Sequence, residues 1–297
     1  MDNPVSIHDR KGVAATRFLT IGQGRIAYDA MGEGPLVVMA PGAGDLRQVY
    51  RFLAPKLAEA GYRVITVDLR GHGESSMYWA SHDGGDVISH TDIAGDLLAV
   101  IRALGGPAVI VGHSISGGAA TIAAARAPGL VRGVIELNPF TRTQTFSPAA
   151  FLTNHRYRLG MIWRSMARMR ESPKQWVKYL NVAYPIKPPD YREYIAELSE
   201  NLCAPGRFDE LLKTIETTPA DAEAQLPNLI RPALIIMGTK DPDFPDPEAE
   251  GLAIAALMPE GLGTVALSEG SGHCPHADAP DRVAELALNF LAEKLER

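Results

Sequence analysis

The sequence comprises 297 residues, of which 46% are hydrophobic and 22% charged, enough for one large core with a modest second lobe. The net charge of −6 is spread along the chain without a strong run of either sign, which argues against nucleic acid or an anionic membrane as a partner. The two cysteines, Cys203 and Cys274, lie far apart and fit neither a disulfide framework nor a zinc site. We therefore expect no metal and no cofactor.

The sequence predicts neither a signal peptide nor a membrane span. Residues 1–12 lack an apolar stretch of the length that a signal peptide needs, and no later segment is long enough to cross a bilayer. We expect a cytoplasmic protein without membrane insertion. Whether it forms a homodimer is left open.

Apolar runs alternate with amphipathic stretches through the first half of the chain. The runs typical of strands are residues 17–22, 25–31, 35–40, 62–69, 108–112 and 131–137. A turn is expected near Gln23–Gly24. Amphipathic spacing predicts a helix over 46–61 and another over 91–105, with Thr91 as the candidate N-cap of the second. After residue 228 we predict a strand at 232–238, a helix at 247–259, a strand at 263–270 and a helix at 281–296.

This alternation predicts an α/β fold with a mostly parallel eight-stranded sheet and helices on both of its faces. Residues 141–228 interrupt the alternation, because they contain helical patches rich in Met, Arg, Trp and Tyr and no convincing strand. We expect residues 1–140 and 229–297 to form one core. Residues 141–228 are expected to form an inserted helical cap.

A strand-to-helix segment around Ser114 carries the pattern most directly tied to chemistry. Ser114 lies between a short apolar run and a helix rich in small residues, with Gly112, Gly117 and Gly118 around it. A sharp turn that exposes a serine hydroxyl closes only where the residues packed against it have almost no side chain. We interpret the segment as a nucleophile elbow, in which Ser116 replaces the second glycine of Gly-x-Ser-x-Gly. Taken alone, the pattern also fits an ordinary glycine-rich turn.

A nucleophilic serine needs a base to take its proton and an acid to orient that base. Such groups collect in the loops that follow parallel strands. Asp241 comes three residues after Gly238, at the end of one predicted strand, and His273 follows the next strand. The chain order Ser114, Asp241, His273 is that of one large group of serine hydrolases.

With these residues the chain resembles the α/β-hydrolase superfamily over nearly its whole length. Residues 68–75 (DLRGHGES) match the Asp-x-Arg-Gly-x-Gly-x-Ser loop of that superfamily. Residues 272–280 (GHCPHADAP) match its catalytic-histidine loop. The sequence PGAGD follows the third strand, where the superfamily usually carries His-Gly-x, so that Pro41 replaces the histidine.

The resemblance implies a role for each residue of the site. Ser114 is implied to be the nucleophile, His273 the general base and acid, and Asp241 the acid that orients His273. The backbone N–H groups of Ala43 and Ile115 are implied to form an oxyanion hole. Because proline fixes its own backbone and lacks an N–H, Pro41 makes the role of Ala43 less secure than that of Ile115.

Three other histidines compete with His273. His113 neighbours the nucleophile, but its side chain is expected to point away at the turn. His72 is interpreted as a hydrogen-bonding residue of a glycine-rich loop. His276 is the less favoured base, because His273 follows the strand more directly.

Two other aspartates follow Asp241. Asp243 and Asp246 lie in a proline-rich loop and are interpreted as exposed turn residues. In some relatives the acid follows the sixth strand instead, where this chain offers only Asn138 beyond Glu136. Asp241 therefore remains the favoured acid.

The cap is expected to cover the elbow and to shape a substrate cavity. The candidate substrate-binding residues are Phe140, Met161, Trp163 and Met166. The alternative, that such residues only attach the insertion to the sheet, stays open. Arg164, Arg168 and Arg170 are interpreted as a solvated face and not as an anion-binding cluster.

The resemblance implies a serine hydrolase that cleaves a carboxylic ester or a related acyl compound through an acyl-enzyme intermediate. The expected partner is a small-molecule ester or acyl substrate. Hydrolysis of a carbon–carbon bond in a diketone, cofactor-free perhydrolysis, and lactone or amide hydrolysis are alternatives on the same residues. Epoxide hydrolases and haloalkane dehalogenases of this fold use aspartate at the elbow, so Ser114 argues against them. An alternative of another class is a slow ligand sensor, similar to the plant strigolactone and karrikin receptors, that acts through a protein partner.

Overall fold

The computed structural model describes residues 16–22 and 24–295, with side chains as far as residue 293. The strands are β1 (Arg17–Ile21), β2 (Gly24–Met31), β3 (Leu36–Ala40), β4 (Arg63–Val67), β5 (Ala108–His113), β6 (Val131–Leu137), β7 (Ala233–Gly238) and β8 (Gly263–Ser268). The helices are α1 (Leu53–Glu59), α2 (His90–Ala103), α3 (Ile115–Arg126), α4 (Pro148–Thr153), α5 (His155–Met169), α6 (Pro173–Ala183), α7 (Tyr191–Cys203), α8 (Arg207–Ile215), α9 (Ala220–Glu223), α10 (Pro247–Ala256), α11 (Pro275–Asp278) and α12 (Pro280–Leu295). Every predicted strand has a counterpart, and Gln23 of the predicted first turn lies outside the described residues.

The strands form one sheet in the order β1-β2-β4-β3-β5-β6-β7-β8. The pairs β1–β2 and β2–β4 are antiparallel, and all other neighbouring pairs are parallel. The predicted mostly parallel eight-stranded sheet is therefore confirmed. Because β3, β5, β6 and β7 are consecutive parallel neighbours, the loops that follow them meet at one edge of the sheet.

Alternate residues of the central strands belong to two separate apolar clusters. Val111 of β5 and Ile135 of β6 lie in one cluster with residues of α1 and α12. Ile110 and Val134 lie in the other cluster with residues of α2 and α3. Since successive side chains of a strand point to opposite faces, helices cover both faces of the sheet. This double burial explains why the strands are continuous apolar runs in the sequence.

Residues 46–61, predicted as one helix, form a 3₁₀ turn (Arg47–Tyr50) followed by α1. Pro55 has no N–H for the hydrogen bond to residue 51 that a continuous helix would require, and its ring would clash with that carbonyl. In α1, Pro55 lies in the first turn, where N–H groups have no intrahelical acceptor. The prediction of a single helix was therefore wrong.

The start of α2 also differs from the prediction. The helix begins at His90, and its N-cap is Ser89 instead of Thr91. The Ser89 hydroxyl accepts a hydrogen bond from the Asp92 N–H at 3.1 Å, and the Asp92 carboxylate accepts one from the Ser89 N–H at 3.0 Å. This reciprocal capping box stabilises the first turn of the helix.

Between β6 and β7, the described chain forms α4 to α9 and a 3₁₀ turn (Leu226–Asn228), without a strand. Trp176 and Tyr179 of α6 share an apolar cluster with Met39 of β3 and Leu137 of β6. Because Met39 and Leu137 lie near the carboxyl ends of their strands, the inserted helices pack over that edge of the sheet. None of the helices in the described part of the chain is both long and apolar enough to span a membrane.

Candidate active site

Ser114 occupies the turn between β5 and α3 in a strained backbone conformation. Its φ of 55° and ψ of −120° lie in a region that non-glycine residues rarely adopt. A Cβ atom on Gly112 would collide with the Ser116 carbonyl, and one on Gly117 would lie 2.5 Å from Pro139 Cβ. The two glycines therefore permit the close packing that holds Ser114 in this conformation.

Ser116 and Pro41, the two departures from the superfamily pattern, are in contact with each other. The fully buried Ser116 hydroxyl donates a hydrogen bond to the Pro41 carbonyl oxygen at 2.5 Å. Gly42 follows Pro41 in the loop after β3, and a Cβ atom on Gly42 would lie 3.0 Å from Ser114 Cβ. The loop after β3 is thus held directly against the turn that carries Ser114.

Two backbone N–H groups near Ser114 are available to an oxyanion. Ile115 is the first residue of α3, where the N–H has no intrahelical acceptor. No described residue accepts a hydrogen bond from the Ala43 N–H. Ala43 and Ile115 line the same cavity as Ser114.

Asp241 and His273 form a buried pair at the ends of β7 and β8. His273 Nδ1 lies 2.8 Å from Asp241 Oδ2, and both side chains are almost inaccessible to solvent. The second oxygen of Asp241 accepts a hydrogen bond from the Asp243 N–H at 2.8 Å. His273 and Ser114 line one cavity. Among the described residues the hydrogen bond of the His273 ring is the one to Asp241, and none joins the ring to the Ser114 hydroxyl.

Two buried side chains hold the backbone of His273. Its carbonyl oxygen lies 2.8 Å from His113 Nε2 and accepts a hydrogen bond from Asn138 Nδ2 at 2.9 Å. Asn138 Nδ2 also contacts the Gly272 carbonyl at 2.7 Å, and Asn138 Oδ1 accepts from the Gly238 N–H at 2.7 Å. Asn138, which follows the sixth strand at the place where some relatives carry the acid, therefore joins the end of β6 to β7 and to the His273 loop.

His273 is the histidine of this region that carries a raised pKa. Burial lowers the pKa of His273, but the neighbouring carboxylates of Asp241 and Asp243 outweigh burial and raise it to about 9. Burial lowers the pKa of His72 to about 4 and that of His276 to about 3. These two rings are therefore neutral at physiological pH.

Asp243 is buried, so its interpretation as an exposed turn residue was wrong. Its Oδ2 lies 3.6 Å from His273 Nδ1 and accepts a hydrogen bond from the Tyr179 hydroxyl at 2.6 Å. Its Oδ1 lies 3.2 Å from Arg164 Nη1. Both partners come from the inserted helices, at least 64 residues away in sequence, so no local signal announced them. Asp246 is exposed and caps the N-terminus of α10.

A cavity of about 400 Å³ lies between the carboxyl edge of the sheet and the inserted helices. Its apolar wall consists of Ala43, Ile115, Phe140, Trp176, Tyr179, Leu180 and Ile215. Its polar lining includes Asp45, Thr143, Gln144, Arg164, Ser165, Arg168, Thr214, Thr217, Thr218 and Asp243. A cavity of this size accommodates a small ligand with both apolar and polar parts.

Of the four predicted substrate-binding residues, the structure places only Phe140 in the cavity. Met161, Trp163 and Met166 do not line it. Trp163 instead packs at the edge of the core, with Lys178 Nζ 4.4 Å from the centre of its ring. Helical spacing identified α5 but not which of its faces points inward.

The arginines of α5 also differ from the prediction. Arg164 and Arg168 line the cavity, whereas Arg170 does not. The interpretation of all three as a solvated face was therefore wrong for Arg164, whereas Arg168 is solvent-exposed and also lines the cavity.

Two clusters of described residues bring three metal-ligating atoms within 4.8 Å of one another. These are Asp241, Asp243 and His273, and Asp45, His113 and Cys274. In the first cluster, His273 Nδ1 is committed to Asp241. In the second, burial raises the pKa of the Cys274 thiol well above its usual value, and a protonated thiol is a poor ligand.

The sequence from residue 37 to residue 286 matches the family model described as the alpha/beta hydrolase family. The chain belongs to this family. It is 25% identical over 284 residues to the 2-(acetamidomethylene)succinate hydrolase of Mesorhizobium japonicum, an alignment that covers 93% of this chain and 95% of that protein. Over 118 residues it is 34% identical to the bifunctional epoxide hydrolase 2 of Sus scrofa, covering 39% of this chain and 20% of that protein.

A similar solved structure is that of a thermophilic esterase from Thermogutta terrifontis. It has a TM-score of 0.70 and 25% sequence identity, and the alignment covers 94% of this chain and 99% of the esterase. The resemblance inferred from the sequence motifs is therefore confirmed, and the chain is a member of a family of hydrolases.

Proposed function

We propose that this protein is a serine hydrolase that cleaves a carboxylic ester or a related acyl compound through an acyl-enzyme intermediate. The observation that carries the proposal is that Ser114 and His273 line one cavity, with Asp241 on the Nδ1 side of His273. Ser114 lies on a strained turn at the cavity wall, His273 lines the same wall, and Asp241 is hydrogen-bonded to the far nitrogen of His273. This combination supports acyl transfer on general grounds.

In the first step, neutral His273 takes the proton of Ser114 through Nε2, and the resulting alkoxide attacks the acyl carbon. Asp241 keeps the proton of the imidazole on Nδ1 and stabilises the imidazolium that forms. The backbone N–H groups of Ala43 and Ile115 stabilise the oxyanion. His273 then protonates the leaving alcohol, and water repeats the sequence to release the acid.

Ser114 also favours acyl transfer over epoxide opening. Relatives include epoxide hydrolases, but enzymes of this fold that open epoxides use an aspartate at the position of Ser114. A serine forms an ester with an acyl group, which water hydrolyses with the help of the same base.

Labelling with a fluorophosphonate probe followed by peptide mapping tests the nucleophile. We expect modification at Ser114 and none in the Ser114→Ala variant. Ser172→Ala is a matched control, because Ser172 precedes α6, makes no capping hydrogen bond and does not line the cavity. Labelling of a different serine, or none in folded protein, would contradict the assignment.

Turnover of p-nitrophenyl esters of increasing chain length tests the reaction. We expect repeated turnover that falls by at least about 10⁴-fold in Ser114→Ala, because the nucleophile and its base act as a unit. A single slow burst that stops after one equivalent would contradict the proposed enzyme and favour a ligand sensor.

A further inference from the structure

Positive charge is concentrated in the first half of the inserted segment. Residues 141–189 contain nine lysines and arginines and one acidic residue, Glu171, a net charge of +8 in a chain whose total is −6. The even spread of charge expected from the whole-chain balance was therefore wrong. Such a local excess favours anionic ligands at the nearby surface.

Arg164 brings part of this charge to the reaction site. Its side chain is 29% exposed and lines the cavity. Arg164 Nη1 lies 3.2 Å from Asp243, and the hydrogen-bond contact of Nη2 with the described residues is the sulfur of Met161 at 3.5 Å, a weak acceptor. A guanidinium has five N–H donors, so this contact leaves most of its capacity for a ligand.

The position of Arg164 relative to His273 suits a short substrate. The guanidinium carbon lies 5.7 Å from the centre of the Phe140 ring, and that ring centre lies 6.1 Å from the centre of the His273 ring. An acyl group bound at Ser114 therefore shares one cavity with Phe140 and Arg164. The guanidinium stays charged at all physiological pH values.

Arg168 extends the same face of α5 by one turn. Its side chain is 60% exposed, lines the cavity and lies 3.3 Å from Glu216, which is 44% exposed. Ion pairs between exposed side chains contribute little energy. Arg168 is therefore free to turn toward an anionic ligand at little cost.

The two acidic side chains of the cavity have donors of their own. Asp45 accepts hydrogen bonds from the Tyr194 hydroxyl and, at 2.9 Å, from the Leu46 N–H, and burial raises its pKa to about 6. Asp243 accepts from Tyr179. Among the described residues, Arg168 forms its ion pair with Glu216 and not with either of these carboxylates. Asp243 contacts Arg164 through Nη1.

We propose that the cavity binds acyl substrates that carry a second group, a carboxylate, which Arg164 holds from inside and Arg168 from the solvent-exposed end. The proposal rests on the proposed function and names the substrate class of the same site. A planar carboxylate matches the paired N–H groups of a guanidinium, and the cavity of about 400 Å³ suits a monoester of a short dicarboxylic acid.

Two esters of equal chain length test the proposal: the mono-p-nitrophenyl ester of glutaric acid and p-nitrophenyl pentanoate. They differ in whether a carboxylate or a methyl group ends the acyl chain. We expect kcat/KM to be about 10- to 100-fold higher for the charged ester. This is the ratio that corresponds to the usual free energy of a hydrogen bond to a charged group. Arg164→Gln should abolish this preference, and Arg168→Gln should reduce it.

The ratio of the two kcat/KM values is the readout, because loss of Arg164 also affects Asp243 and hence both esters. The Arg164→Gln/Asp243→Asn double variant removes both charges of the ion pair, so that neither charge is left buried without its partner. Arg170→Gln is the matched control, since Arg170 ends the same helix and does not line the cavity. Because Arg170 does not touch a ligand in the cavity, the control should keep the preference.

Equal rates for the two esters, both dependent on Ser114, would overturn the substrate class and leave the hydrolase proposal intact. An equal loss of preference in Arg170→Gln and Arg164→Gln would also overturn it, because long-range attraction would then explain the ratio. If folded protein hydrolyses neither ester, the hydrolase proposal fails, and calorimetry of glutarate with the Ser114→Ala variant decides the binding site. Binding that Arg164→Gln removes would support the site, and no binding would overturn it.

Discussion

Replacing Asp243 with asparagine is expected to move the pH dependence of catalysis toward lower pH. His273 works as a base only when neutral, so kcat/KM rises with pH and levels off above the pKa of His273. Burial lowers that pKa, while Asp241 at 2.8 Å and Asp243 at 3.6 Å raise it to about 9. Removing one of the two carboxylates removes part of this rise. Arg164 then faces His273 without its counter-ion, which lowers the pKa in the same direction.

The distance sets the size of the effect. A unit negative charge 3.6 Å from the imidazolium stabilises it by about 1.2 kcal/mol even with the dielectric constant of water. Since 1.36 kcal/mol corresponds to one pKa unit, the acidic limb should move down by about one pH unit or more. The shift is larger if the buried site screens the charge less than water does.

The assay measures kcat/KM for a neutral alkyl ester between about pH 6 and 10, and hydrolysis is monitored by titrating the released acid. Asp246→Asn is the matched control, because Asp246 lies in the same loop but is exposed and caps α10. Asparagine caps a helix as well as aspartate does, so this variant loses the charge without losing the cap. Its acidic limb should stay where it is in the parent protein.

An unmoved acidic limb in folded Asp243→Asn protein would refute the reasoning, since Asp243 would then have no electrostatic effect on the base. An equal shift in Asp246→Asn would refute it as well. The loop would then act through its total charge, not through the contact at 3.6 Å.

Three further changes test the packing that holds the site. Ser116→Ala leaves the Pro41 carbonyl, in the loop after β3, without its buried hydrogen-bond donor. The free energy of unfolding measured by urea titration should fall by about 1–3 kcal/mol. We also expect kcat to be reduced and KM to change little. Gly117→Ala places a Cβ atom 2.5 Å from a proline side chain and should cost about 1–3 kcal/mol, whereas Gly95→Ala, in an exposed helical site with open space, should add up to about 1 kcal/mol of stability. Asp68→Asn breaks the buried ion pair with Arg47 and should lower the melting temperature strongly, a loss of about 3–5 kcal/mol; an unchanged melting curve would contradict the importance of this pair.

Much of the fold could be predicted because its signals are local. The buried parallel strands appear as short apolar runs, and each glycine-rich turn marks the end of an element. Ser114, Asp241 and His273 were proposed by the same means, since each lies in the turn or loop that follows a strand and parallel strands bring such loops to one edge. The error at residues 46–61 arose from giving apolar spacing more weight than Pro55.

The segment inserted between β6 and β7 was predictable as helical, but its inward face was not. α5 carries both methionines and arginines at helical spacing, and the sequence pattern predicted that the apolar side chains face the cavity. In the structure, Asp243 pairs with Arg164 and accepts a hydrogen bond from Tyr179, so a charged side chain lies at the cavity while Met161 does not line it. Such pairing is decided by residues distant in sequence.

The sequence by itself determined the order of strands and helices, the mostly parallel sheet and the three residues of the proposed reaction, because backbone geometry and the spacing of apolar residues encode these locally. Only the tertiary structure decided which polar groups enter the cavity. A buried charge is stable only beside a partner, and Asp243 and Arg164 are brought together by the packing of the inserted helices on the sheet.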